Sequence, residues 1–161
     1  MSKSFSKTII HDKHRREYLV VASELDSEIF KRFNILHRGR RIGYVNYHFE
    51  GDDILFIDDF HIEDKAMRPP WFSVDLIFWG CSFPPEGWRI TNFQRGGVGT
   101  ATIEFLKDFA KSESLKRIEG VVKPHDFNEN PDLLNWYRRR GFVIEKRDEK
   151  VAGVAKISLT V

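Results

Sequence analysis

Two glycine-centred turns constrain the fold of this chain more than any other feature. Arg38-Gly39-Arg40-Arg41 and Glu50-Gly51-Asp52-Asp53 punctuate three runs of strand-favouring residues, 29–37, 42–49 and 54–62. Glycine supplies the backbone freedom that a tight reversal needs. Within the runs the side chains alternate. Phe33 and Ile35 fall on one side, Arg32 and Asn34 on the other, and Val45 and Tyr47 share a side in the next run. Connections this short cannot carry a crossover, so the three runs are predicted to form an antiparallel meander.

An apolar β-favouring run at 18–22 precedes the meander, and only residues 25–28 separate it from the next strand. Residues 1–16, rich in serine, lysine and histidine, read as a mobile arm that ends in a short strand around Ile9 and Ile10. Downstream, Ile103, Leu106 and Ala110 mark one face of an amphipathic helix over about 100–111, flanked by Phe105 and Phe109. A strand is predicted over 117–122. Asn130-Pro131-Asp132 reads as the start of a second helix, with asparagine as cap, and Gly141 as its stop. Residues 142–146 and 154–161 read as a closing hairpin. The predicted fold class is therefore α/β of the α+β kind: a single domain over 1–161, with a mixed, mostly antiparallel central sheet flanked by helices. Residues 64–93 interrupt it as an insert holding Pro69, Pro70, Pro84, Pro85, Trp71, Trp79 and Trp88.

Composition removes several classes of function. The 161 residues are 41% hydrophobic, enough for one buried core. The net charge of +2 makes no case for nucleic-acid binding. The one cysteine, Cys81, excludes an intramolecular disulfide and a cysteine-rich zinc site, and no metal site is expected. The longest charge-free run of the tryptophan-rich middle, 76–85, is too short to span a bilayer, and the polar N-terminus has no apolar signal core. A soluble, cytoplasmic protein with no membrane partner is expected.

The strongest chemical signal is Gln94-Arg95-Gly96-Gly97-Val98-Gly99, followed by Thr100 and Ala101 at the start of the first helix. Glycines let backbone N–H groups approach a ligand, and the helix N-terminus adds unpaired donors and partial positive charge. Arg95 adds a cation. Together they form a phosphate cradle. A nucleotide-triphosphate loop needs lysine and then serine or threonine after its last glycine, and Thr100 and Ala101 do not match. A dinucleotide fingerprint needs a third small residue where Thr102 stands; Glu119, about 20 residues past Gly99, suits its ribose, but too little chain follows for a doubly wound sheet. The pyrophosphate of coenzyme A is the third reading, beside a plain glycine turn.

Here the chain resembles the GNAT acetyltransferase superfamily. Its loop signature, Q/R-x-x-G-x-G/A, is matched by Gln94, Gly97 and Gly99, and its second signature by Asn130, Tyr137, Gly141 and Phe142. The resemblance implies transfer of an acetyl group from acetyl-coenzyme A to an amine, by direct attack in a ternary complex. It implies pyrophosphate binding by Gln94, Arg95, Gly96, Gly97, Val98, Gly99, Thr100 and Ala101. Asn130 would hold the pantetheine arm, and Tyr137, whose phenol also belongs to the cofactor site, would protonate the departing thiolate. The family usually has helices between its first two strands, which this chain lacks. The insert at 64–93 is expected to replace that wall or to form a homodimer interface.

The acceptor amine must lose a proton before it attacks. Charge placement at the end of the third meander strand offers Glu63, Asp59 and His61, acting directly or through water. Strict alternation would set Asp58 on the face opposite to these three. The acidic strand ends suit a cationic small-molecule or peptide amine. A second class of function stays open, a non-catalytic module of the same fold that binds acyl-coenzyme A or a protein. The clusters Arg38, Arg40, Arg41 and Arg138 to Arg140 read as solvated surface, with contact to the adenosine phosphate of the cofactor as the alternative for either.

Overall fold

The computed structural model describes residues 7–25, 27, 29–63, 66–68, 89–91, 93, 96–146 and 153–161. Ten strands and three helices are assigned among them: β1 Lys7–His11, β2 Glu17–Glu24, β3 Lys31–His37, β4 Arg40–Glu50, β5 Ile54–Ile62, β6 Ala66–Arg68, β7 Arg89–Thr91, α1 Val98–Ser112, β8 Arg117–Val122, α2 Pro124–Glu129, α3 Leu133–Arg138, β9 Val143–Lys146 and β10 Ala155–Thr160. Eight strands form one sheet in the order β1-β2-β3-β4-β5-β8-β10-β9. Every pairing in it is antiparallel except β5 with β8. The mixed, mostly antiparallel sheet flanked by helices is the predicted architecture. The meander is β3-β4-β5, turning through Gly39 (φ +80°) and Gly51 (φ +64°).

The predicted apolar stripe of α1 packs on one face of this sheet. Ile103, Leu106 and Ala110 are fully buried. Phe33 of β3 stacks on Tyr47 of β4 at 4.7 Å and meets Phe105 and Phe109 edge-on at 5.0 Å. Burying aromatic surface of this size is the main favourable term holding α1 to the sheet. β5 passes through α1 to β8 as a parallel crossover, the one connection that demands a helix. On β8, Glu119 is buried but ion-paired with Lys156 at 2.7 Å and Arg117 at 3.1 Å. That pairing gives its carboxylate a structural role.

Three expectations change. First, the short strand expected around Ile9 and Ile10 is present as β1, and it is longer and tied to the sheet rather than the end of a free arm. Lys7–His11 pairs with β2, and the turn after it is pinned by Asp12, a buried carboxylate. Asp12 accepts from Arg16 Nε (2.6 Å), the Tyr18 hydroxyl (2.9 Å) and the backbone N–H groups of His14 (2.8 Å) and Arg16 (3.0 Å). Second, the helix predicted from Asn130 to Gly141 is α3, capped at Asp132 rather than Asn130, and a further helix precedes it. Pro124 opens α2, and Asn130 is the C-cap of that helix, extended at φ −136°, ψ 86°. Pro131 disfavours α geometry in the residue before it, so the chain breaks there and restarts at Asp132. Third, the insert is closed at its base by β6 pairing antiparallel with β7. Its tryptophans, Cys81 and the 74–78 segment, together with Gln94 and Arg95, lie outside the described residues. β2 passes to β3 through 25–30 with no helix among the described residues there. None of the described helices is long and apolar enough to cross a membrane.

Candidate active site

The site begins with two irregularities of β5. Its pairing with β8 ends at Ile57 opposite Gly120, and beyond that point the two parallel strands part. Its pairing with β4 slips in the same region: Tyr47 faces Ile57 but Asn46 faces Asp59, so Asp58 is an extra residue, a β-bulge. The strand ends open a cleft of about 1120 Å³, floored by Ile57 and Gly120 and walled by Asp58, Asp59, Gly99 and Tyr137 among others.

The bulge overturns the alternation expected for the carboxylates. Val45 and Tyr47 face α1, so Tyr44 and His48 face away from it. Asp59 accepts from the Tyr44 hydroxyl at 2.9 Å, and Asp58 meets His48 Nδ1 at 2.8 Å. Both carboxylates therefore lie on the face opposite α1. His61 joins them there, its ring 5.7 Å from that of Tyr44. Glu63 lies outside the main cleft: it pairs with Arg40 at 3.3 Å and lines a neighbouring depression of about 250 Å³ with Arg41, Gly43, Tyr44 and His61. Burial and then the Asp59 hydrogen bond push the Tyr44 phenol above its ordinary range, so it stays a donor to Asp59.

The glycine loop meets the cleft on the α1 side. Gly97 sits at φ +94°, a left-handed conformation that turns the chain into α1. A side chain at Gly99 would come within 3.2 Å of the Trp136 ring. The first-turn N–H groups of α1, those of Val98, Gly99 and Thr100, have no intrahelical acceptor. Two cations lie beside them, Lys13, which sequence reasoning missed, and Arg140, which it singled out only as one of a cluster. Lys13, on the turn pinned by Asp12, lines the cleft, and its backbone N would lie 3.2 Å from a β-carbon at Gly97. Arg140 stacks on Trp136 at 4.0 Å, donates to the Trp136 carbonyl at 2.8 Å and bonds Thr100 Oγ1 through both Nε and Nη2. It lay hidden in the run Arg138 to Arg140, and no local pattern marked Lys13.

Tyr137 is 6% exposed, packed edge-on against Trp136 and Phe142, and lines the cleft. Burial, with the charges of Asp126 and Asp59 adding to it, pushes its phenol well above the ordinary value of 10.0. The phenol is therefore fully protonated at neutral pH, and its hydroxyl has no hydrogen-bond partner among the described residues.

No family model and no curated protein matches the chain. Solved structures do. The GNAT domain of S. lividans PAT is 10% identical and superimposes at a TM-score of 0.62 over 100% of both chains. A GNAT family acetyltransferase from Elizabethkingia anophelis, with acetyl-CoA bound, is 10% identical at a TM-score of 0.53, over 98% of this chain and 100% of its own. An acetyltransferase from Thermus thermophilus is 14% identical at 0.53, over 84% of this chain and 67% of its own.

This chain has the GNAT fold.

Within that GNAT fold the cleft gathers Gly97, Gly99, Thr100, Asn130, Tyr137, Asp59 and His61 from the sequence-predicted site and leaves Glu63 outside. Gly96, Val98 and Ala101 belong to the loop and first turn of α1 behind it. Asn130 lines the cleft as an exposed residue while it ends α2.

Proposed function

We propose that this protein transfers an acetyl group from acetyl-coenzyme A to a primary amine, by direct attack within a ternary complex. One observation carries the reading: a single cleft joins the glycine loop to the Tyr137 phenol. The loop suits a pyrophosphate because Gly97, Gly99 and Thr100 line the cleft where the first-turn N–H groups of α1 lack intrahelical acceptors. The N–H groups of Val98, Gly99 and Thr100 would bind its oxygens, with Lys13 and Arg140 as nearby cations. Asn130 would hold the pantetheine arm.

Acetyl-coenzyme A supplies the activated thioester. The N–H groups of β5 past Ile57, released from the β8 ladder, would polarise its carbonyl. Tyr137, the protonated acid of the cleft, would donate to the departing thiolate. Asp59 and Asp58 give the opposite face negative charge suited to a cationic small-molecule or peptide amine. Calorimetric titration with acetyl-coenzyme A tests the first half. Saturable binding is expected for the wild type and its loss in a folded Gly97→Glu, Gly99→Glu variant. Thiol release with a panel of amines tests the second half. Tight binding with a silent panel would instead favour a non-catalytic acyl-coenzyme A module, the reading that the missing β2–β3 helices support.

A further inference from the structure

The cleft has a small neighbour. His61 lines both the cleft and the depression of about 250 Å³ beside it, which it shares with Arg41, Gly43, Tyr44 and Glu63. Tyr44 links the two hollows. Its hydroxyl donates at 2.9 Å to Asp59, a wall of the cleft, while Tyr44 itself lines the depression. Burial and Asp126 raise the Tyr137 phenol, and the charge of Asp59 adds to them, which places Asp59 near the reacting end of the cleft. The cations around Tyr44 are matched with one exception. Arg40 pairs with Glu63 at 3.3 Å. Arg32 donates to Asn46 Oδ1 at 2.7 Å and lies over the Tyr44 ring at 4.6 Å. Arg41 lies over the same ring at 5.9 Å, but its guanidinium has no hydrogen-bond or ion-pair partner among the described residues. A contact through a ring face leaves the N–H fork of an arginine unused. Glu63 is already offset by Arg40, so the depression carries one positive charge in excess, on an exposed side chain.

The two hollows thus offer opposite charges, a carboxylate at the cleft and a guanidinium in the depression. Asp59 stands opposite Asn46 of β4, and Arg41 lies about 16 Å further along that strand at the backbone. Both side chains lean over Tyr44, which closes part of the distance. A chain of several carbons between an amine and an acid fits that spacing. One guanidinium beside the Glu63 carboxylate suits a monoanion, hence a carboxylate rather than a doubly charged phosphate. We propose that the acceptor is an amino acid of this kind, a primary amine separated by several carbons from a carboxylate. Asp59, aimed by the Tyr44 hydroxyl, holds the ammonium at the cleft, and Arg41 holds the carboxylate in the depression. Tyr44 is a positioning residue, and Arg41 sets specificity. Free lysine and the ω-amino acids belong to this class. The assignment rests on the acetyltransferase reading above and narrows its cationic amine to a zwitterion.

The test follows thiol release from acetyl-coenzyme A with 6-aminohexanoate and with 6-aminohexanamide, which differ in charge only at the end remote from the amine. The wild type should favour the acid about 10-fold in kcat/KM, mostly through KM. Arg41→Met should bring the acid down to the level of the amide, with acetyl-coenzyme A affinity unchanged by calorimetry. Tyr44→Phe keeps the ring under Arg41 but releases Asp59. It should raise KM for both acceptors about threefold or more and keep the preference for the acid. Calorimetry reads the same subsite without turnover: protein saturated with coenzyme A should bind 6-aminohexanoate, and the Arg41→Met variant should bind it about 10-fold more weakly. Equal rates with acid and amide in the wild type would overturn the assignment, as would a preference that survives in Arg41→Met. An unchanged KM in Tyr44→Phe would remove Tyr44 from it. Transfer to hexylamine or glucosamine but to neither of these two would overturn the assignment and leave the acetyltransferase reading standing. A wild type that binds acetyl-coenzyme A and releases thiol with none of the four amines would overturn that reading, and this assignment with it.

Discussion

Replacing Tyr137 by phenylalanine separates its chemistry from its packing. The ring is 6% exposed and stays wedged between Trp136 and Phe142 in either form. The hydroxyl has no protein hydrogen-bond partner among the described residues, so its removal orphans no donor or acceptor. Stability should therefore change by no more than about 0.5 kcal/mol. Turnover should respond quite differently. If the phenol protonates the leaving thiolate, its loss should cost about 100-fold in kcat, roughly 2.7 kcal/mol of barrier. The pH profile carries a further sign. Burial first, and then Asp126 and Asp59, raise the phenol above 10.0. Tyr137 should thus impose no alkaline limb on the wild-type rate below about pH 10. The assay is thiol release under saturating acetyl-coenzyme A, paired with thermal denaturation of both proteins. Unchanged kcat would refute the acid role. A large fall in Tm would refute the packing argument and show that the hydroxyl is held by a partner.

Other perturbations probe the N-terminal turn. Asp12→Ala removes the acceptor of four donors at a buried site and should cost about 2 kcal/mol or more, read by denaturant unfolding. Burial pushes the Asp12 carboxyl up, but the bonds from Arg16, Tyr18 and His14 outweigh it and hold the group below 3.8. The contribution is therefore present above the unfolded value and lost as pH falls through the lower folded one, so Asp12→Ala should blunt the acid destabilisation of the wild type below about pH 4. Lys13→Met should weaken acetyl-coenzyme A binding about threefold to tenfold and flatten its salt dependence, measured by calorimetry at two ionic strengths. An unchanged affinity would remove Lys13 from the cradle.

Much of this protein was legible locally. The turns at Gly39 and Gly51, the alternation of Phe33 with Ile35, and the stripe Ile103-Leu106-Ala110 each depend on residues only a few positions apart. Their strands and helix fall where the pattern places them. Tyr137 and the glycines of the loop were equally visible, as paired motifs on either side of one strand. A local pattern also explains the overlooked α2: Pro124 is a good first helical residue, and Pro131 marks where that helix must end.

What the sequence by itself determined was most of the elements, the meander, α1 and β8 among them, and the glycine turn that leads into α1, because hydrophobic period, turn chemistry and glycine's freedom act between near neighbours. The tertiary structure alone decided how the opposite face of the cleft is built. One extra residue in β5 turns Asp58 to the side of Asp59 and against His48, and a bulge has no local signature. The ion pair with Arg40 draws Glu63 out of the cleft, and the buried carboxylate of Asp12 sets Lys13 beside Gly97. The first two are contacts between neighbouring strands of the meander, settled when β4 and β5 pair, and the approach of Lys13 to Gly97 is settled only when α1 packs beside the N-terminal turn.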